Sequence, residues 1–151
     1  MDPHTLAQQA ILEHKILEHL KSALEVSLAW EVEGLDCSRK LSSVRFVMQS
    51  LERHLLRMMA LEEHDGYMEA VVDASPSHYG EVKKLKLEHD EFRTATHRIV
   101  SRLDSLTPQD SEAFEATCDD IRRLTRRLAE HSRKEIDLLQ EAFLQQETGL
   151  D

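Results

Sequence analysis

Apolar residues recur along the chain at alternating steps of three and four, the spacing that lines one face of an α-helix. The clearest stripe runs Val82, Leu85, His89, Phe92, Thr96, Ile99, Leu103, Leu106. A second runs Phe114, Cys118, Ile121, Leu124, Leu128, His131, Glu135, Leu138, Ala142. Wider stripes occupy Val44, Val47, Leu51, Leu55, Met58, Glu62 and, nearer the start, Leu6, Ala10, His14, Leu17, Leu24, Leu28. Asp2-Pro3 reads as the cap and first turn of helix one, which runs to about Glu33 and stops at Gly34. Asp36 or Ser38 caps a second helix, to about Asp73, with Gly66 marking a local break inside it. Ser75-Pro76 opens a third, to about Leu106, and Thr107-Pro108, followed by Asp110, opens a fourth, to about Gln146. Helices of roughly 30 to 38 residues are on the order of 45 to 55 Å long, and connections this short force antiparallel neighbours. The prediction is all-α: an up-down-up-down antiparallel four-helix bundle, one domain over residues 1–151.

Polar residues interrupt the stripes at His14, Glu62, His89, His131 and Glu135. Heights are counted from the bundle end where helices one and three begin. His14, Glu62 and Glu135 then lie about 11 residues in, His89 about 13 and His131 about 15, a layer roughly 6 Å thick. His54 lies about 19 in, His19 and His97 are off the stripes, and His4, His64 and His78 sit near the mouth. An ionised carboxylate is costly in an apolar interior unless paired. His131 and Glu135, one turn apart on one face, are placed as chelation needs. Three imidazoles and two carboxylates converging inside a bundle point to a metal. Without metal, Glu135 is a buried charge, so its removal is expected to stabilise the metal-free bundle.

Composition narrows the partners. Four Gly and three Pro in 151 residues suit long helices, and a net charge of −10 argues against nucleic acid or an acidic membrane surface. No apolar run approaches the roughly 20 residues that span a bilayer. Met1-Asp2-Pro3-His4 has neither the basic nor the apolar region of a secretory signal, and Cys37 and Cys118 form no spacing motif. A cytoplasmic protein is expected. Met48, Met58, Met59 and Met68 read as packing, Cys118 as an inert core thiol, and Arg122, Arg123, Arg126 and Arg127 as a solvated face.

Taken in order, Leu12-Glu13-His14, Glu62-Glu63, Glu88-His89 and His131-x3-Glu135 resemble the hemerythrin-like (HHE cation-binding) family. The resemblance spans nearly the whole chain and is best over Leu128-Ala129-Glu130-His131-Ser132-Arg133-Lys134-Glu135. It implies a four-helix bundle holding two non-haem irons bridged by two carboxylates. By position these carboxylates are Glu62 and Glu135, with His14 serving one iron and His89 with His131 the other. Two departures stand out. Met58 occupies the place of the histidine in the family's helix-two His-x3-Glu motif, and a thioether is a soft ligand poorly matched to iron. Arg93 stands where oxygen-carrying members have a second helix-three histidine. His54, one turn from Met58 on the same face, joins the candidate set if helix two is locally distorted.

The expected function is therefore a non-haem iron protein with an altered, mono-iron or asymmetric di-iron centre. It would bind or sense oxygen, nitric oxide, peroxide or iron itself, with no catalytic residue assigned and with room for a protein partner. One competing reading is a metal-free degenerate bundle serving protein interaction, for which Met58 speaks. Another is a histidine phosphotransfer domain, which inward-facing histidines oppose.

Overall fold

Long helices dominate the computed structural model, which describes residues 2–31 and 37–144. They are α1 (Pro3–Ala29), α2 (Ser38–Glu63), α3 (Tyr67–Ala74), α4 (Tyr79–Ser105) and α5 (Ser111–Leu139). A 3-10 turn (Pro76–His78) precedes α4 and a π turn (Gln140–Leu144) follows α5. α1 packs on α2, α2 on α4, α4 on α5, and α5 closes on α1. The result is the four-helix bundle expected from the stripes, with α3 as a short lid segment packed on α1, α2 and α4. No described helix is long and apolar enough to cross a membrane.

The start signal of α1 acts as capping chemistry requires, whereas α2 begins at Ser38 itself, after Cys37, which makes no side-chain cap bond. Asp2 caps α1 by accepting the Thr5 N–H at 3.1 Å, and Pro3 fills the first turn, where its missing N–H costs nothing. α1 stops at Ala29 because Trp30 is extended; Glu33, Gly34 and Asp36 lie outside the described residues. Pro76 starts a 3-10 turn instead of α4 itself, which begins at Tyr79. Thr107-Pro108 likewise forms a turn before α5. Thr107 N–H donates to the Asp110 carboxylate at 2.8 Å, and Asp110 is the cap residue. The expected end at Gln146 lies outside the described residues.

The second predicted helix is two helices. α2 ends at Glu63, Asp65 adopts a left-handed φ of 56°, and α3 resumes at Tyr67. Aspartate tolerates that conformation better than most residues. Gly66 makes the junction sterically feasible. A Cβ there would stand 2.1 Å from the Leu61 carbonyl oxygen and 2.6 Å from that of Glu62, both backbone atoms that cannot swing away. Gly66→Ala should therefore cost about 1–3 kcal/mol, the usual range for overpacking. Thermal melting of the metal-free protein should show a midpoint lower by about 2–4 °C per kcal/mol. An unchanged midpoint would contradict the close approach.

Two apolar clusters fill the interior. The larger, deeper one holds Leu17, Leu24, Leu51, Leu55, Phe92, Ile99, Phe114, Ile121 and Leu128 among others. The smaller, near the mouth, holds Ala7, Ala10, Tyr67, Met68, Val71, Val82, Leu85, Leu138 and Leu139. Cys118 and the four methionines are packing residues within them, as expected. Burial pushes the Cys118 thiol up to about 11, so it stays protonated and unreactive at neutral pH. Between Ala10 and Leu17, and again between Leu85 and Phe92, each stripe passes through one polar residue. The polar layer separates the two clusters.

Candidate metal centre

Each main helix delivers one or two polar side chains to that layer: His14 from α1, Glu62 from α2, His89 from α4, His131 and Glu135 from α5. All are buried, with His89 and Glu135 wholly inaccessible. Their donor atoms form two groups, His14–Glu62–Glu135 and His89–His131–Glu135, within each of which the atoms lie no more than 4.8 Å apart. Glu135 belongs to both. Its Oε2 is 3.2 Å from His14 Nε2, and its Oε1 is 3.1 Å from His89 Nε2 and in contact with His131 Nε2. Glu62 closes the ring, with Oε2 3.2 Å from His14 Nε2 and Oε1 3.5 Å from His89 Nε2.

The three imidazoles are held alike, with Nε2 turned inward and Nδ1 engaged outward. His89 Nδ1–H donates to Glu63 at 3.2 Å, His131 Nδ1–H donates to Glu88 at 2.6 Å, and His14 Nδ1 lies 3.0 Å from Ser132 Oγ. Glu63 is in turn gripped by Arg93, and Glu88 by Lys134 at 3.0 Å. Such outer partners fix the tautomer that leaves the inner nitrogen's lone pair free, the arrangement of metal-ligating histidines. Arg93, a departure from the family pattern in the sequence, thus steadies His89 through Glu63.

Protonation shows what the layer lacks. Burial, then the charge of Glu135, pushes the Glu62 carboxyl well above its ordinary value. Burial works the same way on Glu135, but hydrogen bonding with Glu62, His131, His14 and His89 overcomes it and holds that carboxyl well below the usual range. The pair therefore shares one proton, on Glu62, and one negative charge, on Glu135. Burial opposes the charged form of His131, yet the Glu135 and Glu88 carboxylates raise its pKa. Even so, Glu62 Oε1 is buried without a hydrogen-bond partner. Orphaned polar atoms inside a protein are rare and costly. A cation at the two groups would satisfy that oxygen and replace the shared proton, so these residues fit a metal.

All five residues that interrupt the stripes meet here. His54 does not join either group: its Nε2–H donates to the Glu13 carbonyl oxygen at 3.1 Å, which ties α2 to α1. Met58 is packed, 1% exposed, and lines a cavity of about 220 Å³ beside Glu62, Tyr67 and Ala10. The sequence reading missed Tyr67, whose hydroxyl donates to Glu135 Oε2 at 2.5 Å. On an unbroken helix Tyr67 follows Glu62 by five residues, about 140° around the axis, and would face away. The break at Gly66 was the available signal. His19 and His97 are exposed, as their positions off the stripes predicted.

Comparison with curated proteins found no match, and neither did comparison with solved structures. The family model described as the hemerythrin HHE cation-binding domain matches residues 8–143, a span that contains all four long helices' contributions to the polar layer. A buried layer of inward-turned imidazoles around two carboxylates, one of them shared, suits the cation binding in that description. The chain belongs to the hemerythrin HHE cation-binding domain family.

Proposed function

We propose that the protein binds non-haem iron at two unequal positions that share Glu135, and that it binds or senses a small ligand there: oxygen, nitric oxide or peroxide. The observation that carries this reading is the pair of three-residue groups with one carboxylate in common. Their donors are imidazole nitrogens and carboxylate oxygens with no thiolate, the set favoured by non-haem iron with open positions. Bundles that hold two metals between facing helices use the same chemistry. His89 and His131 give one position two nitrogens, whereas the His14 position has a single imidazole and relies on Glu62 and Glu135.

When bound, ferrous iron would supply open coordination positions and one-electron chemistry toward such ligands. The chain's own residues do the rest. Glu63, Glu88 and Ser132 orient the imidazoles. The two apolar clusters exclude bulk water above and below the layer. The cavity at Met58, Glu62 and Tyr67 gives a small molecule a way in beside the poorer position. Burial of His14, His89 and His131 opposes phosphotransfer, which needs an exposed imidazole.

Protein produced with iron supplied and purified without chelators should carry between about one and two irons per chain, the capacity of a two-position bundle site. Elemental analysis measures this, and the visible spectrum of the ferrous protein should change on adding nitric oxide or peroxide. Iron, zinc and manganese all at background, with no uptake on titration, would leave the metal-free interaction module as the better reading.

A further inference from the structure

The break between α2 and α3 has a chemical product. By ending α2 at Glu63 and restarting at Tyr67, it turns the phenol inward, where Tyr67 is 2% exposed and its oxygen lies 2.5 Å from Glu135 Oε2. Glu135 Oε2 is also the oxygen that faces His14 Nε2 at 3.2 Å, and His14 Nε2 faces Glu62 Oε2 at 3.2 Å. Tyr67, Met58 and Glu62 line one cavity. We propose that Tyr67 is a phenolate ligand of the iron position formed by His14, Glu62 and Glu135, standing in for the nitrogen that Met58 does not supply. This rests on the iron reading above.

Spacing supports ligation. Neighbouring ligand atoms on bonds of about 2.0–2.2 Å, set near right angles, lie roughly 3 Å apart. The separations of 2.5 Å from the Tyr67 oxygen and 3.2 Å from His14 Nε2, both to Glu135 Oε2, are near that value, so the phenol stands beside the carboxylate oxygen that belongs to the His14 group. Donor chemistry agrees: a phenolate is a hard oxygen anion suited to ferric iron, where a thioether is soft. Ligation breaks the phenol O–H and forms an O–Fe bond, and the proton leaves through the adjoining cavity. A bound cation favours the anionic form of an oxygen that coordinates it. With phenolate added, the His14 position carries three anionic oxygens and one imidazole. It should hold iron in the ferric state, while the two-imidazole position favours ferrous iron. The two positions then differ in preferred oxidation state, not only in affinity.

The test is to load metal-free protein with ferric iron supplied as its nitrilotriacetate complex, remove the excess, and record iron content, visible absorption and resonance Raman spectra. The wild type should show a broad visible band with phenolate ring vibrations enhanced. Tyr67→Phe should lose the band and bind at the His14 position at least about tenfold more weakly, while keeping iron at His89 and His131. The chain has two tyrosines, and Tyr79 is 60% exposed, so Tyr79→Phe should keep the band. If the wild type binds iron without the band, or Tyr67→Phe retains it, the ligand assignment is overturned and the iron centre stands. If the wild type binds no iron, both fall.

Discussion

Glu135→Ala should abolish metal uptake at both positions, with affinity reduced by more than about 100-fold, beyond the range for loss of an outer partner. Among the described residues no other side chain belongs to both groups, so no other single substitution of them should do as much. His131→Ala should weaken the two-imidazole position and spare part of the other. His97→Ala should change nothing, because its ring is 80% exposed. The same Glu135 variant should also destabilise the metal-free protein, against the expectation that removing a buried charge relieves it. Glu135 accepts from the Tyr67 hydroxyl and faces the Nε2 atoms of His14 and His89 at 3.2 and 3.1 Å, and its loss leaves the buried phenol unpaired and those ring nitrogens facing a void. Each orphaned group costs about 1–3 kcal/mol, so the melting midpoint should fall by several degrees. Iron titration and thermal melting of the three variants check both halves. Equal loss of iron in the His97 and Glu135 variants would remove the basis for the site.

Much of this centre was legible in the chain because its helices are straight where it matters. His14, His89, His131 and Glu135 sit on stripes without glycine or proline, so a fixed rise and twist place them correctly. Glu62 was also placed, since α2 stays regular to Glu63. Failures begin where the backbone departs from that regularity. Beyond Gly66 the helical phase resets, which hid Tyr67. The outer partners were hidden differently: Glu63, Glu88 and Ser132 lie on half-exposed flanks, where an acidic or hydroxyl residue usually meets solvent. Only the opposing helix shows that each faces a histidine. His54 illustrates the converse, a buried stripe histidine whose hydrogen goes to a neighbouring carbonyl.

Glu62→Gln should move the two measurable stabilities in opposite directions. In the metal-free protein, burial and the nearby Glu135 charge hold the Glu62 carboxyl protonated, well above the ordinary glutamate value of 4.5. Between 4.5 and that raised value the folded state binds more protons than the unfolded one. The contribution of Glu62 to stability is therefore fullest below 4.5 and is lost as pH rises through the folded pKa. Glutamine cannot ionise when the chain unfolds, and its amide can donate to Glu135 much as the carboxyl hydrogen does. At neutral pH the metal-free variant should thus melt higher than the wild type, by about 2–4 °C for each kcal/mol recovered. The gap should close as pH falls to 4.5. Glu135, held low, contributes the opposite slope to both proteins and largely cancels. Metal reverses the order. At an iron concentration about 1,000 times Kd each occupied position adds roughly 4 kcal/mol; a neutral carboxamide supplies no anionic oxygen at the His14 position, so the variant should keep only the gain from the His89–His131 position. Melting curves at several pH values, with and without ferrous iron under anaerobic conditions, read both effects. A metal-free variant that melts below the wild type at neutral pH would show that Glu62 is ionised in the fold. Stabilisation by iron as large as the wild type's would show that the carboxylate is not a ligand.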